Sequence, residues 1–240
     1  MKYWLVVPAA GASRRFGAGV AKQYLPLAGR TVIEWALSPF LGDGRCTGCA
    51  VAVAANDTEW PRLQARLASI GQCEWMTVTG GATRAESVRA ALTAIAQRSP
   101  ADTWVLVHDA ARPCVTAQDV ERLLATSNDA SSGGLLAVPL ADTLKRDDGQ
   151  KNGNGGKRVA ATVARERLWR ALTPQMFRLG ELCAALDAAR AAHRTPTDEA
   201  QAIEWQGGHV NLIEGTAANL KITTPADHAL AEAWLAKANA

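Results

Sequence analysis

The chain opens on an apolar run with no break in it, Tyr3-Trp4-Leu5-Val6-Val7. Such a run suits a strand covered on both faces, as in a parallel sheet. Short apolar runs at residues 49–55, 75–78 and 103–107 predict further strands. Between them the period changes. Val88, Leu92 and Ile95 follow Arg84-Ala85-Glu86-Ser87 at helical spacing. Thr116-Ala117-Gln118-Asp119 reads as a capping box that opens a helix with Val120, Leu123 and Leu124 inward. This alternation predicts an α/β fold with a mostly parallel sheet flanked by helices and right-handed crossovers. Ligands then bind beyond the carboxyl ends of the strands.

The second half has another rhythm. Residues 134–138 read as a strand, and Asp142-Thr143-Leu144-Lys145 continues it outward. A polar, glycine-rich turn spans 147–156, and 159–163 returns as an extended segment. The pattern is that of a long hairpin arm, about 139–165, inserted in a single unit spanning 1–240. Such an arm cannot bury its own apolar face, so it is a candidate for exchange between two copies; the alternative is an excursion with no fixed place. Beyond it, Leu182 and Leu186 mark a helix, and Thr195-Pro196-Thr197-Asp198 opens another. A strand at 210–213 and a final helix begun by Thr224-Pro225 complete the chain.

Three loops fall at strand carboxyl ends. Pro8-Ala9-Ala10-Gly11 carries little side-chain bulk and is followed by Arg14, Arg15 and Lys22. The others are Gly80-Gly81-Ala82-Thr83-Arg84 and His108-Asp109-Ala110-Ala111-Arg112-Pro113. Open backbone amides beside fixed cations suit a polyphosphate. The plainer reading is a tight turn at Gly11 with solvated arginines. Neither G-x-x-x-x-G-K-[ST] nor G-x-G-x-x-G is present, so a phosphate loop here is of another kind.

Composition narrows the class. The 240 residues are 48% hydrophobic, which supplies a sizeable core, and the net charge of +3 is too mild for a nucleic-acid binder. No apolar run approaches the roughly 20 residues of a membrane span. The first strand begins at once, leaving no room for a signal peptide. These points predict a soluble cytoplasmic protein with no membrane partner. Five cysteines are irregularly spaced. Cys46-Thr47-Gly48-Cys49 leads into a strand, where a thioredoxin-type pair opens a helix, so it reads as small semi-buried side chains. No second close Cys/His pair completes a zinc site, and His108, His193, His209 and His228 are scattered.

The three loops, with Lys22-Gln23-Tyr24-Leu25 and Ser87-Val88, resemble the 2-C-methyl-D-erythritol 4-phosphate cytidylyltransferases. Asp142-Thr143, Thr162-Val163, Arg165, Leu172-Thr173-Pro174-Gln175, Thr197-Asp198-Glu199-Ala200 and Asn219-Leu220-Lys221-Ile222-Thr223 follow in matching order over essentially the whole chain. The resemblance implies a Rossmann-like nucleotidyltransferase fold, CTP as substrate, Mg²⁺ or a similar ion held mainly by the CTP phosphates, and a homodimer formed through the arm. It implies nucleotide contacts at Ala9, Ala10, Gly11, Gly81, Arg84, Ser87 and Asp109. Arg15 and Lys22 would stabilise the transition state. Asp109, Arg112, Thr197 and Lys221 would hold the acceptor, with Thr143 and Arg165 completing the pocket of the neighbouring subunit. Asp109 could instead serve as the ion-pair partner of Arg112, and the two roles are compatible. Ala82 departs from the family pattern, which often has an acidic residue there, and Ala164 stands where an acid can precede the arginine. Rival readings are a ribitol 5-phosphate cytidylyltransferase and an inactive nucleotide-binding regulator. A phosphate monoester is largely a dianion at neutral pH, so the acceptor needs no general base. No plausible Ser/His/Asp or Cys/His set is present to supply one.

Overall fold

The computed structural model describes residues 1–11, 21–69, 73–128, 133–151, 153 and 156–238. Seven strands form one sheet: β1 (Tyr3–Pro8), β4 (Cys46–Val53), β5 (Glu74–Thr79), β6 (Trp104–Val107), β7 (Gly133–Pro139), β10 (Trp169–Arg178) and β11 (Val210–Glu214). Their order across the sheet is β11-β7-β10-β6-β1-β4-β5. Only β10 runs against its neighbours. The mostly parallel Rossmann-like sheet expected from the sequence is therefore present.

The apolar run at the start explains the layering. Tyr3, Leu5 and Val7 enter one core layer and Trp4 and Val6 the other, all 2% exposed or less. Helices α1 (Val32–Leu41), α2 (Trp60–Ala68) and α4 (Ala117–Ala125) supply the first layer through Ile33, Leu37, Trp60, Leu63 and Leu123. Helices α3 (Arg84–Ala96), α5 (Leu179–Ala191) and α6 (Glu199–Glu204) supply the second. Val88, Leu92 and Ile95 of α3 are fully buried, as their spacing predicts. The capping box of α4 also forms: the Asp119 N–H donates to Thr116 Oγ1 at 3.1 Å, and the Thr116 N–H donates back to Asp119 Oδ2 at 3.1 Å. A small ribbon of β2 (Pro26–Leu27) and β3 (Arg30–Thr31) packs near α7 (Pro225–Ala238), whose Ala231 and Leu235 form a third cluster with Leu27, Val32 and Ile222.

β8 (Leu144–Lys151) and β9 (Lys157–Val163) pair only with each other, as an antiparallel ribbon separate from the main sheet. Val159 is 64% exposed, and the ribbon is laced by surface ion pairs, Lys157–Asp147 and Arg158–Asp148. Asn152, Asn154 and Gly155 of the glycine-rich turn lie outside the described residues. No helix among the described residues is long and apolar enough to cross a membrane.

Candidate active site

β1 lies between β4 and β6, and the three loops singled out in the sequence leave the carboxyl ends of β1, β5 and β6. The first is anchored at its root. The Ala9 N–H donates to the Ala52 carbonyl at 2.7 Å, and buried Gln23 Nε2 donates to the Ala9 carbonyl at 2.9 Å. Ala9 thus spends its amide on the sheet, leaving Ala10 and Gly11 to face the cleft. Among the described residues, a Cβ at Gly11 would meet nothing within 4 Å.

The second loop presses on the first. A Cβ at Gly80 would lie 2.4 Å from Ala10 Cβ and 2.8 Å from Ser87 Oγ. Buried Ser87 accepts the Gly81 N–H at 3.1 Å and donates to the Thr83 carbonyl at 3.0 Å, which ties the turn to the start of α3. The Ala82 amide is taken by the Glu86 carboxylate at 2.7 Å.

Between the loops lies a cleft of about 360 Å³, lined by Ala9, Ala10, Gly11, Lys22, Gly81, Arg84, Ser87, Asp109 and Lys221 among others. Asp109 is 6% exposed and meets three cations. Arg84 Nε lies 2.8 Å from one carboxylate oxygen, Lys221 Nζ 2.9 Å from the other, and Arg112 Nε 3.6 Å from that second oxygen. Burial alone would push the Asp109 carboxyl up. Arg84, Lys221 and Arg112 outweigh it and hold the group well below the usual carboxylate range. The expected Arg112 pair is real but is the longest of the three.

Arg84 extends the network. Its Nη1 meets Glu199 Oε1 at 2.5 Å, at the first residue of α6. Glu199 is 1% exposed, and burial pushes its carboxyl up against the opposing pull of Arg84. Arg112 Nη1 donates to the Asn219 carbonyl at 2.8 Å, and Asn219 Nδ2 donates to the Thr173 carbonyl at 2.8 Å. These contacts fix the segment that delivers Lys221. Lys22 reaches the same segment, donating to the Ile222 carbonyl at 2.9 Å.

A chain of hydrogen bonds sets the third loop. The Asp109 N–H donates to Thr173 Oγ1 at 3.1 Å, and Thr173 Oγ1 lies 3.0 Å from His108 Nδ1. His108 Nε2 lies 3.2 Å from the Arg112 carbonyl. A carbonyl only accepts, so Nε2 carries the proton and Nδ1 accepts from the Thr173 hydroxyl. Burial pushes His108 down to about 4, consistent with this neutral tautomer.

Arg84, Arg112 and Lys221 meet two buried carboxyl groups and Lys22 lines the same cleft, so the cleft carries an excess of positive charge suited to phosphate groups. No three His, Cys, Asp or Glu converge as metal ligands among the described residues, and both Asp109 oxygens face cations. This donor set does not fit a resident metal.

The sequence matches the family model of the 2-C-methyl-D-erythritol 4-phosphate cytidylyltransferases (IspD) over residues 3–237. The chain belongs to that family. A relative from Halorhodospira halophila bearing the family's name is 49% identical over 235 residues, 98% of this chain and 94% of its own. One from Ectopseudomonas mendocina is 48% identical, covering 98% and 96%. Among solved structures, a 4-diphosphocytidyl-2C-methyl-D-erythritol synthase superposes with a TM-score of 0.81 at 34% identity, covering 98% of both chains. The cytidylyltransferase from Thermus thermophilus gives 0.77 at 32% identity, covering 98% of this chain and all of its own.

Of the residues expected from the family resemblance, some described ones do not line the cleft and others lie outside the described residues. Arg14 and Arg15 lie outside the described residues. Arg112 stands behind Asp109 with its side chain 11% exposed. Thr197 is exposed just before α6, its N–H donating to Gln201 Oε1 at 2.8 Å. Thr143 and Arg165 flank the β8–β9 ribbon, both exposed, and Arg165 Nη1 donates to the Ala141 carbonyl. Neither lines the cleft of its own chain. Conversely, sequence reasoning assigns no role to Glu199, Asn219 or Thr173, although each lies in a stretch that matches the family.

Proposed function

We propose that this chain transfers a cytidylyl group from CTP to 2-C-methyl-D-erythritol 4-phosphate, giving 4-diphosphocytidyl-2-C-methyl-D-erythritol and pyrophosphate. The observation that carries the reading is the cleft itself, where a small-residue loop, a lysine held on each side and a cation-saturated aspartate meet at the carboxyl ends of β1, β5 and β6. An acceptor phosphate oxygen attacks the α-phosphorus of CTP in line, and the bond to the β-phosphate oxygen breaks. The acceptor is already a dianion, so no base is needed. Asp109 would be a poor one, since its carboxyl is held ionised by three cations.

Catalysis then comes from positioning and charge neutralisation. Ala9, Ala10, Gly11, Gly81 and Ser87 form the nucleotide side of the cleft. Lys22, with Arg15, neutralises charge that develops on the α- and β-phosphates. Lys221, oriented by Asp109, takes the acceptor phosphate, and Arg112 behind Asp109 adds positive charge and holds the Asn219–Lys221 segment in place; Thr197 lies outside the cleft of this chain and would meet the acceptor only if its loop moves. Arg84 supports the nucleotide side chiefly by holding Asp109 and Glu199 in place. The divalent ion enters with CTP as part of the metal–nucleotide substrate.

The whole chain, 1–240, acts as one cytidylyltransferase unit whose arm, about 139–165, reaches a second copy in a cytoplasmic homodimer. Thr143 and Arg165 then complete the partner's pocket. The exposure of both residues and the isolation of the β8–β9 ribbon support this arrangement.

Purified protein with CTP, Mg²⁺ and either methylerythritol 4-phosphate or ribitol 5-phosphate tests the reading. Pyrophosphate release with the first acceptor and little with the second is expected. A preference for ribitol 5-phosphate, or nucleotide binding without turnover, would transfer the reading to one of its rivals.

A further inference from the structure

β4 begins with an irregularity. Tyr3 pairs with Cys46 and Trp4 with Gly48, so Thr47 is an extra residue. A bulge of this kind resets the side to which the next residues point. Cys46 and Cys49 therefore face the same core layer, beside Tyr3 and Leu5. On the neighbouring edge strand Cys49 pairs with Trp75, and Cys73, immediately before β5, packs against the same layer as Trp75. Three thiols meet at the amino ends of β4 and β5, the opposite end of these strands from the nucleotide cleft.

The cysteine spacing in the sequence draws attention to Cys46 and Cys49, yet Cys46, whose thiol donates to the Gly48 carbonyl at 3.5 Å, also has Cys73 as a neighbour across the strand pair. Cys46 and Cys49 are buried, whereas Cys73 is half-buried and so open to a small reagent. The Gly48–Glu74 register, continued back, sets Cys73 opposite Thr47, so Cys46 is its diagonal neighbour; with strands about 4.8 Å apart and a rise of about 3.3 Å per residue their Cα atoms lie roughly 5.8 Å apart, within the roughly 4.4–6.8 Å that a disulfide spans.

We propose that Cys46 and Cys73 are a redox-modification site that forms a reversible disulfide with hydrogen peroxide as oxidant, Cys73 reacting first. The order follows from the environment. The neighbouring Cys46 thiol favours the Cys73 thiolate, while Cys73 and burial push the Cys46 thiol up. The Cys73 sulfur attacks one peroxide oxygen, the O–O bond breaks, and the departing hydroxide takes a proton to become water. Cys73 is then a sulfenic acid. The Cys46 sulfur attacks the Cys73 sulfur, and the hydroxyl leaves with the Cys46 proton as a second water. Two thiols lose two electrons and one peroxide is reduced to two waters. The bond closes a loop around α2 and fastens the edge strand β5 to β4.

The folded protein is treated with hydrogen peroxide, its remaining thiols are alkylated, and a non-reducing digest is mapped by mass spectrometry. A Cys46–Cys73 linked peptide is expected, reversed by dithiothreitol, retained in Cys49→Ala and lost in Cys73→Ser. The absence of any linked peptide in the oxidised wild-type protein would overturn the proposal. So would a Cys49–Cys73, Cys46–Cys49 or intermolecular link in its place.

Discussion

Lys221 Nζ lies 2.9 Å from Asp109 Oδ2, while the next residue, Ile222, offers its carbonyl to Lys22 Nζ at the same distance. One short segment thus fixes the two lysines that bracket the cleft. They are expected to do different work. Lys22 acts on charge that develops during transfer, so Lys22→Ala should lower kcat roughly 10²–10³-fold with a smaller change in acceptor KM. Lys221 holds acceptor phosphate, so Lys221→Ala should raise the acceptor KM far more than the CTP KM. Steady-state kinetics with each substrate varied in turn checks the split, and equal effects on both substrates would place Lys221 elsewhere.

Gly80 tests how the two small-residue loops fit. Its added Cβ would sit 2.4 Å from Ala10 Cβ, which can give way only by moving the loop backbone. Gly80→Ala should cost roughly 1–3 kcal/mol of stability and raise the CTP KM. Gly44→Ala, where a Cβ meets nothing within 4 Å, is the control. Urea unfolding and CTP kinetics compare the two; matching behaviour would mean that the loops are not in tight contact.

Much of this is legible in the sequence, and the exceptions have physical causes. The loops after β1, β5 and β6 are readable because small residues and cations stand at the ends of short apolar runs. β10 is not legible as a strand, because Pro174 in Leu172-Thr173-Pro174-Gln175 argues against a central strand. The chain accommodates it where the register with β7 shifts, between Ala171 and Gln175. β4 begins earlier than expected, at Cys46, because a bulge at Thr47 lets the strand continue back from Gly48, which pairs with Trp4. The buried network is illegible for another reason. Arg84 and Glu199 stand 115 positions apart and Asn219 and Thr173 stand 46 apart, and no local pattern pairs them.

His108 gives a pH dependence with a definite sign. Its folded value is pushed down to about 4 from an ordinary 6.5, so between these values the unfolded chain binds a proton that the native chain does not. The stabilisation is complete above pH 6.5 and is lost as pH falls through 4, on the order of 3 kcal/mol in all. Asp109, also lowered, has the same sign but acts below the ordinary carboxylate value. Urea unfolding at several pH values between 7 and 4 should show stability falling in wild type and a flatter profile in His108→Gln. Parallel profiles would remove His108 as the cause.

The arm makes a prediction about mixed subunits. If each site joins Lys22 of one chain to Arg165 of the other, a heterodimer of Lys22→Ala and Arg165→Ala has one doubly damaged site and one intact site. Random exchange makes about half the dimers mixed, so roughly a quarter of wild-type activity should return. A mixture that stays inactive after proven exchange would mean that Arg165 acts within its own chain.

In the proposed reaction the acceptor phosphate itself attacks the α-phosphorus of CTP. Methylerythritol 4-phosphate labelled with heavy oxygen throughout its phosphate group, incubated with CTP and Mg²⁺ and analysed by mass spectrometry, tests this most directly. All the label is expected in the diphosphocytidyl product and none in pyrophosphate. Labelled pyrophosphate, or CTP breakdown without the diphosphocytidyl product, would contradict it.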